Sequence, residues 1–115
     1  MATIVTITFS PCIDKSTSVS LLAPDIKMSC TSVKLEPGGG GINVARAIGK
    51  LGGSAKALYS AGGCTGKEFT QLMHDENVPN IVIESNFETR ENIIIVDESN
   101  GKQYRFGMPM TPLSE

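Results

Sequence analysis

Gly38–Gly41 run without interruption into Ile42-Asn43, at the mouth of a helix-like segment. Glycine loses more chain entropy on folding than any other residue, so four in a row need a return. Bare backbone lets a ligand approach the main chain, and a helix start adds unpaired N–H groups and the positive end of its dipole. Asn43, in the first turn, can donate to and accept from a hydroxyl. That chemistry suits a polyol or its phosphate. A tight turn made only for packing would use the same glycines, and both readings stand at this point. Two nucleotide motifs fail. Ala61–Glu68, "AGGCTGKE", holds Gly66-Lys67 but has Ala61 for the first glycine of a Walker loop and Glu68 for its Ser/Thr. Gly39-x-Gly41 puts Val44 at the third glycine of a dinucleotide fingerprint, and Pro37 precedes it.

The elements that must carry these residues are short. With 115 residues, 40% of them hydrophobic, the chain suffices for one small domain. A net charge of -2 gives no reason to expect nucleic acid or an anionic membrane as partner. No apolar run has membrane-spanning length, and the start, "MATIVTITFS", does not read as a signal peptide. Cys12, Cys30 and Cys64 match neither a metal-ligand spacing nor a disulfide framework, which points to a reducing, cytoplasmic setting. His74 reads as a surface residue.

Thr3–Phe9 is rich in β-branched residues and predicts a strand, with "SPCID" turning the chain out of the sheet. Ser16–Ser20 and Ile26–Leu35 predict two more; the second alternates Ile26, Met28, Cys30 against Lys27, Ser29, Thr31. Ile42, Ala45, Ile48 and Leu51 define one face of a helix that Gly52-Gly53 ends. "SAKALYSAG" predicts a strand, Lys67–Glu76 a helix with Phe69, Leu72 and Met73 inward, and "NIVIES" another strand. "TRENIIIVDESNGKQYRF" predicts a hairpin turning at Asn100-Gly101. "TPLSE" reads as a helix cap at Ser114 and a first turn that goes no further. The pattern is α/β: part of a parallel sheet flanked by helices, with a small second sheet projecting from it.

In this order and spacing the motifs resemble the ribokinase-like (PfkB) sugar kinases, most closely their 6-phosphofructokinase branch. "PGGGGINVARAIGKLGG" resembles the first family signature, "AGGCTGKEF" the second glycine step, "SPCID" the Asn-Pro-x-x-Asp segment with Ser10 in place of Asn, and "TRENIIIVDESNGKQYRF" the Thr-Arg hairpin. The resemblance spans essentially the whole chain. The later Asp-Thr-x-Gly-Ala-Gly-Asp signature is absent, so the chain corresponds to the N-terminal part of such a kinase, residues 1–115, with lid strands near 16–35 and 90–107.

The resemblance implies that Asp14, Gly38, Gly39 and Asn43 contact the sugar, and that Arg90 meets its phosphate. A carboxylate can accept from two neighbouring hydroxyls, and a guanidinium suits phosphate bidentately. Lys27 and Arg105, on the expected lid strands, are further candidates for the phosphate. Taken alone, Asp14 reads first as a surface turn residue, Arg90 is equally a strand-end surface charge, and Lys27 and Arg105 read as solvated strand charges. Arg46 is expected in a structural ion pair. The resemblance implies ATP and Mg2+ for the complete enzyme, neither of them bound by this chain, which alone should be inactive. It implies fructose 6-phosphate as acceptor, with fructose 1-phosphate, tagatose 6-phosphate or a non-catalytic binding or dimerisation module as alternatives. It also implies a homodimer through the lid, whose apolar face is expected to comprise Met28, Cys30, Ile93, Ile95 and Val96.

Overall fold

Five consecutive β-branched residues stiffen the chain from residue 4 onward, and β1 (Ile4–Thr8) forms there. The computed structural model describes residues 3–110 and Pro112. It continues through β2 (Cys12–Val19), β3 (Thr31–Gly38), α1 (Gly40–Lys50), β4 (Ala55–Ala61), α2 (Gly63–Asp75), β5 (Asn80–Glu84), β6 (Arg90–Asp97) and β7 (Lys102–Phe106). The cap and first turn expected at Ser114 lie outside the described residues. Among the described residues no helix is long and apolar enough to cross a membrane.

β1, β4 and β5 form a parallel sheet in the order β1-β4-β5. Both helices cover the same face of it. Small residues at Ala55, Ala57 and Ala61 let the helices come close, and Tyr59 fills the space between them. Its ring meets Phe69 of α2 edge-on at 4.9 Å, a contact contributing about 0.5–1.5 kcal/mol beyond burial. The Tyr59 hydroxyl has Thr70 Oγ1 at 3.0 Å and donates to Asn80 Oδ1 at 3.2 Å, so its polar end is satisfied inside the core. Ile42 and Ala45 of α1, Phe69 and Met73 of α2, Ile13 of β2 and Val78 complete the cluster, with Leu35, Ile48 and Leu72 at its margin. Leu51, expected on the inner face of α1, is 87% exposed instead. It is the C-cap residue, where the chain has already left the helical path. The opposite sheet face presents Val5, Ile7, Ile81 and Ile83, all exposed.

β2, β3, β6 and β7 form a second, four-stranded sheet in the order β3-β2-β6-β7. β2 pairs antiparallel with β3 but parallel with β6, a pairing no local signal predicts. The Ile26–Leu35 strand is corrected: the chain is extended in the sheet only from Thr31, and Ile26–Cys30 lie outside any strand. Asp25 and Ser32 take positive φ, which breaks the extended path on either side of that segment. The expected lid face is corrected too. Ile93 and Ile95 share a face with Phe106 and Tyr104, their register partners, whereas Val96 faces the other way and Met28 and Cys30 are not in the sheet. The hairpin turn spans Glu98–Gly101, and only Gly101 has positive φ, at 71°.

Gly39 and Gly41 are required by the geometry of the passage into α1. Gly39 has φ 124° and ψ 152°, a region closed to residues with a Cβ. Gly41 lets α1 rest on β1: a Cβ there would lie 2.5 Å from Thr8 Oγ1 and 3.0 Å from the Ile7 carbonyl oxygen. Gly39→Ala is therefore expected to lower unfolding free energy by about 1–2 kcal/mol in urea denaturation. An unchanged midpoint would mean that the turn relaxes into an ordinary conformation.

Candidate functional site

The second sheet brings the sequence-predicted residues together by register. Cys12 of β2 is opposite both Gly38 of β3 and Arg90 of β6, and Asp14 is opposite Asn92. Residues paired this way point to one side of a sheet, so Asp14, Arg90 and Asn92 share a face. Gly38 must be bare for this arrangement, because a Cβ would overlap the Asp14 carboxylate and lie 3.2 Å from Cys12 Sγ. Asp14, only partly buried, thus sits against naked backbone where β3 hands over to α1.

The start of α1 is open. Gly39 is its N-cap, no side chain caps it, and no acidic residue lies in its first turn. The leading N–H groups and the positive dipole end remain available to an oxygen-rich ligand. The Asn43 amide closes the first helical hydrogen bond onto the Gly39 carbonyl at 2.8 Å, leaving its side chain exposed beside the glycines.

Arg90 is held from both sides. Its Nη2 donates to the Ser10 carbonyl and its Nη1 to the Met108 carbonyl, each at 3.1 Å, while its Nε is buried without a partner. The guanidinium has five N–H groups, so it keeps donors for an anion. Thr89 anchors the strand start. Its Oγ1 accepts from the Gly62 amide at 3.0 Å and its own amide donates to the Gly62 carbonyl at 3.1 Å. Arg105 of β7 pairs with Ile94, two residues beyond Asn92, and so joins the same face further out. Lys27 does not stand on a lid strand as expected; it is exposed in the segment between β2 and β3.

Sequence reasoning missed Thr89, Cys12, Asn92 and Met108. Cys12 and Asn92 lie two residues from Asp14 and Arg90 on their strands, and that spacing was the only available signal. Burial, then the negative charge of Asp14 and its hydrogen bond, push the Cys12 thiol up to about 11. Cys12 is therefore a neutral S–H donor and not a nucleophile.

Arg46 lies outside this site, in the ion pair expected of it. It bonds Glu36 at 3.1 Å, the Pro37 carbonyl at 3.0 Å and both carboxylate oxygens of Glu76. The second glycine step is likewise filled from within. Glu88 accepts from the Thr65 amide at 2.7 Å at the start of α2, and that donation holds its carboxyl below the usual range. Clefts of about 540 Å³ and 450 Å³ lie beside Arg46 and beside Gly62–Lys67 respectively, and neither is lined by Asp14, Asn43 or Arg90. At the larger one Arg46 is already committed to two carboxylates, and at the smaller one a helix start already faces Glu88.

Among the described residues no group of three or more His, Cys, Asp or Glu side chains could hold a metal ion.

The fold is matched in known proteins. Over its full length the chain is 48% identical to ATP-dependent 6-phosphofructokinase isozyme 2 of Escherichia coli K12, and it spans 37% of that relative. The crystal structure of Escherichia coli phosphofructokinase-2 in complex with fructose-6-phosphate superposes with a TM-score of 0.95, covering 100% of this chain and 38% of that one at 48% identity. The tetrameric inhibited form of that enzyme gives 0.93 at 48% identity, with the same coverage of both chains. A family profile described as pfkB family carbohydrate kinase matches residues 4–111, and the chain belongs to the pfkB family of carbohydrate kinases.

Proposed function

We propose that this chain is the sugar-phosphate-binding portion of an ATP-dependent 6-phosphofructokinase, with fructose 6-phosphate as the acceptor. The observation that carries the reading is Asp14 set against the bare Gly38 backbone at an uncapped helix start, with Arg90 on the neighbouring strand of the same face. Asp14 and Asn43 bind hydroxyls, the α1 amides receive an oxygen, and Arg90, backed by Arg105 and Lys27, holds the existing phosphate. The 48% identity to an enzyme of that name favours this substrate over fructose 1-phosphate or tagatose 6-phosphate.

ATP and Mg2+ belong to the complete enzyme and supply the phosphoryl group and its charge neutralisation. This chain's part is to bind and orient the acceptor; by itself it turns over nothing. A homodimer through the lid follows the same reading, supported by the face of Ile93, Ile95, Tyr104 and Phe106, on which Phe106 is 49% exposed. The unpaired Cys12, Cys30 and Cys64 suit a reducing, cytoplasmic setting.

The test is binding of fructose 6-phosphate and of fructose by calorimetry or amide chemical shifts. Arg90→Ala should weaken fructose 6-phosphate about ten- to hundredfold, the loss of one charge-assisted contact, and weaken fructose far less. Equal affinity for both ligands in the unsubstituted chain would place the phosphate away from Arg90 and favour a module that binds neutral sugars.

A further inference from the structure

Asp14 does not stand alone on its face. The Cys12 thiol donates to Asp14 Oδ1 at 3.5 Å, and Asn92 Nδ2 donates to Cys12 Sγ at 3.4 Å. Sulfur bonds are long by nature, so both distances are within reach of a real contact. The other end of the Asn92 amide, Oδ1, accepts from the Met108 backbone N–H at 2.9 Å. The Met108 carbonyl in turn receives Arg90 Nη1. Both polar backbone groups of Met108 are thereby stapled to the face that carries Asp14 and Arg90.

Cys12 is 3% exposed, so its thiol cannot exchange these partners for water. Buried as it is, the sulfur has one donor to give and one aimed at it, and the direction of the chain is set: Asn92 to Cys12 to Asp14. The raised thiol pKa keeps the proton on sulfur, as the donor role requires. Asp14 Oδ2 is the oxygen that faces Gly38, which leaves Oδ1 as the one the thiol fixes.

We propose that Cys12 and Asn92 are positioning residues: they fix the rotamer of Asp14 and couple it, through Asn92, to the Met108 backbone beyond β7. The orientation of the sugar-binding carboxylate and the seating of the 107–110 segment are then one cooperative unit, held by the Asn92 amide between them. This rests on Asp14 as the sugar-hydroxyl ligand, but its network can be read without any ligand.

The test compares Cys12→Ser, Cys12→Ala and Asn92→Ala in the 115-residue chain by two readouts: exchange of the Met108 amide hydrogen without ligand, and affinity for fructose 6-phosphate. Serine keeps a donor and lone pairs, so Cys12→Ser should hold both readouts within about twofold. Cys12→Ala is nearly isosteric but has no donor; affinity should fall about five- to tenfold and Met108 exchange should quicken. Asn92→Ala should speed Met108 exchange at least about tenfold and weaken the sugar by a similar factor. Rescue by serine distinguishes positioning from packing, because a packing role would not separate serine from alanine in this way. Cys12→Ser and Cys12→Ala behaving alike, or Met108 exchange unmoved in Asn92→Ala, overturns the proposal. Failure of the sugar reading shows differently, as no binding by the unsubstituted chain while the ligand-free exchange pattern stands or falls by itself.

Discussion

Asp14→Ala is expected to weaken binding of fructose 6-phosphate and of fructose alike by about a hundredfold or more. An ionised carboxylate that accepts from two sugar hydroxyls makes two charge-assisted bonds of about 1.5–3 kcal/mol each, and a loss of about 3 kcal/mol is already two decades. Both ligands carry the hydroxyls, so both should suffer. This sets Asp14 apart from Arg90, whose removal should be felt chiefly by the phosphate. Asp14→Asn keeps one acceptor and should fall between wild type and Asp14→Ala. Asp14 is partly exposed on β2 and contributes nothing to the core around Phe69, so the fold should survive either change. A dispersed amide spectrum with unchanged Phe69 and Tyr59 resonances is the control. Unaltered affinity in such a folded Asp14→Ala variant would place the hydroxyl-binding group elsewhere.

Arg46→Leu should be the most destabilising change outside the apolar core, at about 2–3 kcal/mol in urea denaturation. The guanidinium, 13% exposed, ties three elements together: Glu36 and Pro37 at the end of β3, α1 itself, and Glu76 at the C-cap of α2. Leucine preserves volume but leaves two carboxylates and a carbonyl without their cation. Breaking a buried pair costs about 3–5 kcal/mol and an exposed one at most about 1; Glu36 and Glu76, with side chains 36% and 30% exposed, fall between. The effect should depend on pH in one direction. The hydrogen bond from Arg46 holds the Glu36 carboxyl below the usual carboxylate range in the folded chain. Its contribution is complete above the unfolded value of about 4.3 and disappears as pH falls through the lower folded value. The stability gap between wild type and Arg46→Leu should therefore narrow below about pH 4 and stay wide at neutrality. A gap independent of pH would show that the arginine acts through its alkyl stem alone. Pro37 precedes the glycine run, so the same substitution should also loosen the entry to the candidate site.

The local elements were legible because their signals are local. Thr3–Phe9, the Ile42–Ala45–Ile48 stripe, Phe69 with Met73, and the strand after Pro79 report their own periodicity, and the structure forms each. The glycine run announced a bare backbone at a helix start, and Gly38, Gly39 and Gly41 each have a geometric reason to lack a Cβ. The start of α2 was read four residues late, at Lys67 rather than Gly63. Its N-cap is Gly62, and the Thr65 amide of its first turn donates to Glu88, 23 residues away; periodicity carries no trace of so distant a partner. The second sheet was legible as a small projecting set of strands but not in its strand order: alternation says which residues share a side, never which strand lies next. The parallel pairing of β2 with β6 puts Cys12 beside Arg90 and Asp14 beside Asn92, and Arg90 reaches Ser10 across 80 residues. Closing a loop of that length depends on the summed burial and hydrogen bonding of the whole fold, and no single stretch of residues encodes it. The sequence therefore determined which groups could do the chemistry, a carboxylate, a bare helix start and a guanidinium. Only the tertiary structure decided that they meet on one face, because proximity between distant residues belongs to packing, not to composition or period.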